Sequence, residues 1–149
     1  MVNFQNDRKP YKDLTSDVKK LTSSANEKIE QAVINFIRGG DNRDTQILEN
    51  VLHKDFRFTN MNSTSTLDDS LFDKQDYLSS MKQGLLGELP RKISIERIDL
   101  KDSIAIVKLL LESTESYSVS YNALVLDFDN EWRITNNLAF EIKKNNMLS

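Results

Sequence analysis

YSVSYNALVLDFDNEWRITNNLAFEI, residues Tyr117 to Ile142, is the stretch whose reading decides the fold. Two strand-like runs flank a polar turn at Asp129 and Asn130. In the second run Trp132, Ile134, Leu138, Phe140 and Ile142 fall on one face, with Asn136 among them. Arg133, Thr135, Asn137 and Glu141 take the other. A period of two over that length predicts a half-buried strand. In the first run Val119, Tyr121, Ala123 and Val125 point one way. Leu124, Leu126 and Phe128 point the other. A strand that is apolar on both faces must be covered on both.

Working outward, Ile104 to Leu111 is apolar except for Lys108, and Arg91 to Leu100 has the length of a strand. Lys101, Asp102 and Ser103 turn the chain between them. These runs make a meander of four long strands. Either Ile104, Ile106 and Leu110, or Ala105, Val107, Leu109 and Leu111, must face away from whatever covers the sheet. Such an apolar outer face predicts an interface, and a homodimer is expected.

The covering elements lie upstream. Ser24 and Glu27 have capping-box spacing, which predicts a helix start. Ile29, Ala32, Val33, Phe36 and Ile37 then form an apolar stripe. Gly39 and Gly40 predict a left-handed stop, and Asp41 an N-cap for a second helix carrying Ile47, Leu48, Val51 and Leu52. Phe56 and Phe58 alternate with Asp55, Arg57 and Thr59 as in a short strand. Asn60 to Thr66 reads as a loop, and Leu67 to Phe72 as a second short strand. Asp73 predicts the cap of a third helix with Tyr77, Leu78, Met81 and Leu85 inward; Gly84, Gly87 and Pro90 end it. The fold class is α+β, with helices on one face of a curved, mostly antiparallel sheet. Residues 1–24 read as a partly mobile extension and 25–149 as one domain.

Composition narrows the function classes. At 149 residues with a net charge of -3, the chain has no basic footprint for nucleic acid. It lacks cysteine, which excludes disulfides and thiolate chemistry, and its single histidine excludes a multi-histidine metal site. No run approaches a membrane span, and Met1 to Pro10 is polar, so the expected location is the cytoplasm. The glycines match no phosphate-binding pattern, and nothing calls for a cofactor. Asp68, Asp69, Asp127 and Asp129 lack calcium-loop spacing and read as turn formers.

Several segments together resemble the nuclear-transport-factor-2-like (NTF2-like) superfamily, a cone-shaped, cystatin-like fold. They are Ile29 to Asp41, Leu52 to Phe58, Arg91 to Asp99, Ile104 to Lys108, Tyr121 to Leu124 and Glu131 to Ile134. The superfamily includes ketosteroid isomerase, SnoaL-type polyketide cyclases and scytalone dehydratase. Within it the pattern is similar to a bacterial group labelled putative lumazine-binding. The resemblance implies three N-terminal helices packed on the sheet, with a pocket between. It departs from many relatives at Ser120, where they carry an acid, and at Lys54, where they carry proline. Serine without a base is a poor proton acceptor.

Two function classes follow. One is a binding or accessory domain for a small apolar or aromatic molecule, with a ligand-free dimeric scaffold as its limiting form. The other is a cofactor-independent cyclase, isomerase or dehydratase. His53 is the candidate general base, oriented by Asp55, since histidine ordinarily titrates near neutrality; its plainer role is to complement a helix end. Phe56, Arg57, Phe58, Tyr77, Tyr121 and Trp132 are the candidate ligand contacts: rings for apolar burial, Arg57 for an anionic group. Core packing for the rings and a surface ion pair for Arg57 are the plainer readings. The missing acid at Ser120 favours the binding class.

Overall fold

The computed structural model describes residues 12–63, 71–87 and 89–144. Helix α1 spans Lys12–Asp41 and α2 spans Thr45–Val51. Strand β1 (Leu52–Met61) and the short β2 (Leu71–Asp73) precede α3 (Lys74–Lys82). Strands β3 (Lys92–Lys101), β4 (Ile104–Glu112), β5 (Ser116–Leu126) and β6 (Trp132–Lys143) follow. Only two helices therefore precede the sheet; the third follows β1 and β2. The six strands form one sheet in the order β2-β1-β6-β5-β4-β3. Every pairing is antiparallel except β1 with β6, which run parallel.

Three local expectations are corrected. Helix α1 runs through Ser24, so Ser24 and Glu27 sit within a helix rather than at its start. No proline or glycine lies between Lys12 and Ser24 to stop it, and the boundary drawn at residue 24 falls inside the helix. Residues 1–11 of the extension, and Leu67 to Ser70 of the second short strand, lie outside the described residues. Gly39 and Gly40 do not stop α1; both are helical, and side chains of α2 and α3 lie close against them. A Cβ on Gly39 would sit 2.9 Å from Leu48 Cδ2, and one on Gly40 would sit 3.3 Å from the Tyr77 hydroxyl. The left-handed residue is Arg43, at φ 51°. The cap of α2 is Asp44, whose carboxylate accepts the Ile47 N–H at 3.2 Å; Asp41 is engaged elsewhere.

Asp73 does cap α3, accepting the Asp76 N–H at 2.8 Å while Asp76 accepts the Asp73 N–H. Lys74, next along, donates to the carbonyls of Glu49 and Leu52 at the end of α2. Tyr77, Leu78 and Met81 then face the core; Leu85, expected inward, lies beyond the helix end at Lys82 and is exposed.

The sheet alternation resolves in favour of Ala105, Val107, Leu109 and Leu111, which are buried against the helices; Ile104, Ile106 and Leu110 are exposed on the outer face. Two bulges adjust the faces. In β3 the register slips at Glu96, so Ile93 and Ile95 share the inner face with Ile98 and Leu100. In β6 the register slips at Thr135: Ala123 pairs with Asn136, but Leu124 pairs with Ile134. An extra residue on one strand reverses the alternation beyond it. Trp132 and Ile134 are therefore buried, while Leu138, Phe140 and Ile142 emerge on the outer face. The single apolar face expected for β6 is two half-faces on opposite sides. Asn137, Ala139 and Glu141 take the inner side in their place. Phe128 leaves the strand altogether and is 98% exposed in the turn.

Candidate functional site

The inner side of the sheet beyond the β6 bulge is polar. Ser116, Ser118 and Ser120 alternate along β5 beside Ala139 and Glu141 of β6. Phe58 and Asn60 of β1 flank them through the parallel pairing. The helices do not close down onto this strip. A cavity of about 290 Å³ remains between it and a roof made by Phe36, Ile37, Tyr77 and Met81, with Leu85, Leu86 and Leu89 at one side. That volume lies near the lower end for ligand sites and suits a small molecule.

The roof is an aromatic wedge. The Tyr77 ring centre lies 4.8 Å from that of Phe58, 5.5 Å from Phe56 and 5.9 Å from Phe36. Its hydroxyl makes no hydrogen bond among the described residues. Burial pushes this phenol above the ordinary tyrosine range; nearby Arg91 opposes the shift and Asp41 adds to it. Tyr77 is therefore a neutral donor at any physiological pH.

At the rim, the buried Asp41 carboxylate accepts from Arg91 Nε at 2.7 Å and from Arg38 Nη1 at 3.0 Å. Arg38 Nη1 also donates to the Arg91 carbonyl at 2.6 Å. The other lining carboxylate, Glu141, lies 3.7 Å from Lys143. Each lining charge thus has an opposite charge beside it.

The expected site residues separate. Phe58 and Tyr77 line the cavity, and Phe56 is sealed in the core beside them. Arg57 points away, with its Nη1 on the Phe56 carbonyl at 3.0 Å. His53 also lies outside the cavity. Its Nδ1 accepts the Asp55 backbone N–H at 3.1 Å, and the exposed Asp55 carboxylate pairs with Lys54 at 2.9 Å. That Lys54 hydrogen bond holds Asp55 below the usual carboxylate range. Asp55 thus meets His53 through its backbone, not its carboxylate, and the two form no acid–base pair at the cavity. Tyr121 stands on the outer face, beneath Lys108. Trp132 lines a separate groove of about 310 Å³ between α1, α2 and the β5–β6 turn. Sequence reasoning does not mark the polar floor at Ser118, Ser120 and Asn137; its signal is three alternate serines in β5, Ser116, Ser118 and Ser120. Among the described residues no group of His, Asp and Glu is placed to hold a metal ion. No described helix is long and apolar enough to cross a membrane.

Residues 24–139 match the family model described as "Putative lumazine-binding". No curated protein matches the sequence. Among solved structures, an NTF2-like protein of unknown function from Shewanella baltica superposes with a TM-score of 0.66. The two are 14% identical, over 80% of this chain and 95% of that one. A ketosteroid isomerase-like protein from Erwinia carotovora gives 0.62 at 13% identity, over 78% and 95%. A protein of unknown function with a cystatin-like fold from Nostoc punctiforme gives 0.64 at 9% identity, over 78% and 90%. At these identities the likeness concerns the fold alone.

Proposed function

The chain belongs to the putative lumazine-binding family, with an NTF2-like fold, and from that premise we propose that it is a small-molecule-binding domain whose site is the cavity between the helices and the inner sheet face. The carrying observation is the two-sided lining, an aromatic roof over a hydroxyl and amide floor. Apolar burial supplies affinity there, and a few fixed polar groups supply orientation. The family's name points to a flat heteroaromatic ligand, and a ring system of that size fits about 290 Å³. Binding is favoured over acid–base catalysis because Asp41 and Glu141 each have a cationic partner and Tyr77 holds its proton. A general base needs a free acceptor poised near the working pH.

The test is a thermal-shift screen of flat aromatic and heteroaromatic compounds on wild type and on Ala139→Phe, which places a ring in the cavity. Wild type is expected to gain melting temperature with a subset of compounds, and Ala139→Phe to lose that gain. His53→Ala is expected to leave it unchanged, because His53 does not reach the cavity. Turnover of any bound compound that is abolished by a change at Tyr77 would favour the enzyme reading.

We also propose a homodimer through the outer face of the sheet. Ile104, Ile106, Leu110, Leu138, Phe140 and Ile142 are all exposed there. A contiguous apolar patch of that kind supports an interface.

A further inference from the structure

The cavity floor contains a network of three residues with almost no exposed surface. Asn137 Nδ2 donates to Ser120 Oγ at 2.8 Å and to Asn122 Oδ1 at 2.9 Å. Asn122 Nδ2 donates to Ser120 Oγ at 3.2 Å. Ser120 and Asn122 are fully buried, and Asn137 is 4% exposed. Donor and acceptor counting fixes both amide orientations. Turning Asn137 alone would set its oxygen against the Asn122 oxygen. Turning Asn122 alone would set two NH₂ groups against each other. Turning both would require the one Ser120 proton to serve two oxygens. Only the observed arrangement gives every short contact one donor.

That arrangement leaves one acceptor uncommitted on the floor. Ser120 Oγ accepts twice and, fully buried, lies out of reach of a ligand. Asn137 uses both amide hydrogens and keeps Oδ1. That oxygen has no further partner among the described residues. Asn26 Oδ1 is the only fully buried side-chain polar atom among them without a partner. Asn137 Oδ1 is therefore not sealed in protein: it opens onto the cavity that Asn137 and Ser120 both line. A neutral acceptor thus stands beneath an aromatic roof.

Resting on the binding reading above, we propose that the cavity takes a flat heterocycle with a lactam or ureide edge. Its ring N–H donates to Asn137 Oδ1. The lining carboxylates offer no free negative charge, since Asp41 is held by Arg91 and Arg38, and Glu141 lies beside Lys143. A site built to hydrogen-bond an N–H discriminates against the analogue that lacks it, because its own acceptor is then left facing a mismatched atom.

The experiment is calorimetric titration of the full chain with three bicyclic probes: the lactam isoquinolinone, its lactone isostere isocoumarin, and naphthalene. The lactam and lactone differ only in N–H against ring oxygen. The lactam is expected to bind at least about tenfold more tightly than the lactone. Asn137→Ala is expected to lose that ratio while still binding naphthalene. If that variant fails to fold, the lactam-to-lactone ratio on wild type decides alone. Equal binding of lactam and lactone, or binding of naphthalene alone, would overturn the lactam edge and leave the binding reading standing. Binding of none of the three would overturn both.

Discussion

Arg91 Nε donates to Asp41 Oδ1 at 2.7 Å, and the Arg91 backbone N–H reaches the other oxygen at 3.2 Å. The first residue before β3 is thereby latched to the last residue of α1 at the cavity rim. Asp41→Ala would orphan a half-buried guanidinium and a backbone N–H together. It is expected to cost about 2–4 kcal/mol, read from urea unfolding midpoints. Arg91→Lys keeps the charge but loses the fork geometry and should cost less. A midpoint for Asp41→Ala equal to that of wild type would mean the latch contributes nothing.

Phe36→Ala is expected to cost about 3–5 kcal/mol, because its ring is buried against Phe56 and Tyr77 and the neighbours can relax only partly. Ser24→Ala is expected to be neutral or slightly stabilising. Ser24 is exposed in a continuous helix, where alanine is the better former. The same urea series ranks the two.

The outer sheet face is probed by Ile106→Glu and Phe140→Glu. Each places a charge within the apolar patch, where the two copies of a dimer would bring like charges together. Wild type is expected to scatter light as a dimer at micromolar concentration, and both variants as monomers with nearly unchanged melting temperatures. A wild-type monomer mass would remove the dimer.

Acid should weaken the β5–β6 turn. Hydrogen bonds from Arg133, at 2.7 and 2.8 Å, hold the Asp129 carboxyl below its ordinary value of 3.8. A carboxylate depressed on folding adds stability above its unfolded value, and that stability is lost as the pH falls through the folded one. Asp129→Asn is expected to melt lower than wild type at neutral pH, with the difference closing below about pH 4. A difference that stayed constant across that range would assign the effect to packing rather than charge.

Much of the fold was legible because it rests on long alternations. The meander from Lys92 to Lys143, the Asp73 cap and the turn at Asp102 all follow from local chemistry. The cavity floor did not, and the reason is one residue. Thr135 inserts into β6, with its hydroxyl on the Ala123 carbonyl at 3.2 Å. Nothing in the spacing from Trp132 to Ile142 marks the slip, since apolar residues keep their even numbers on both sides of it. Unmarked, the slip leaves Leu138 and Phe140 on the core side and Asn137 outside. The helix ends misled for a related reason. Ser24 with Glu27, and Gly39 with Gly40, are local patterns, whereas the helix continues wherever its neighbours demand it. His53 and Tyr121 show the same limit for the site: residue type suggests chemistry, but only register decides which face carries it.

The parallel pairing of β1 with β6 also concerns how the protein is made. Leu52 finds its ladder partner, Ile134, near the far end of the chain. A ribosome releases α1, α2 and β1 long before that partner exists, so the growing polypeptide carries Phe56 and one unpaired edge of β1 in the open. Pairings this distant in sequence form slowly and leave sticky intermediates. Nascent chains stalled before Trp132 should therefore be captured by chaperones, and those extended past Lys143 released.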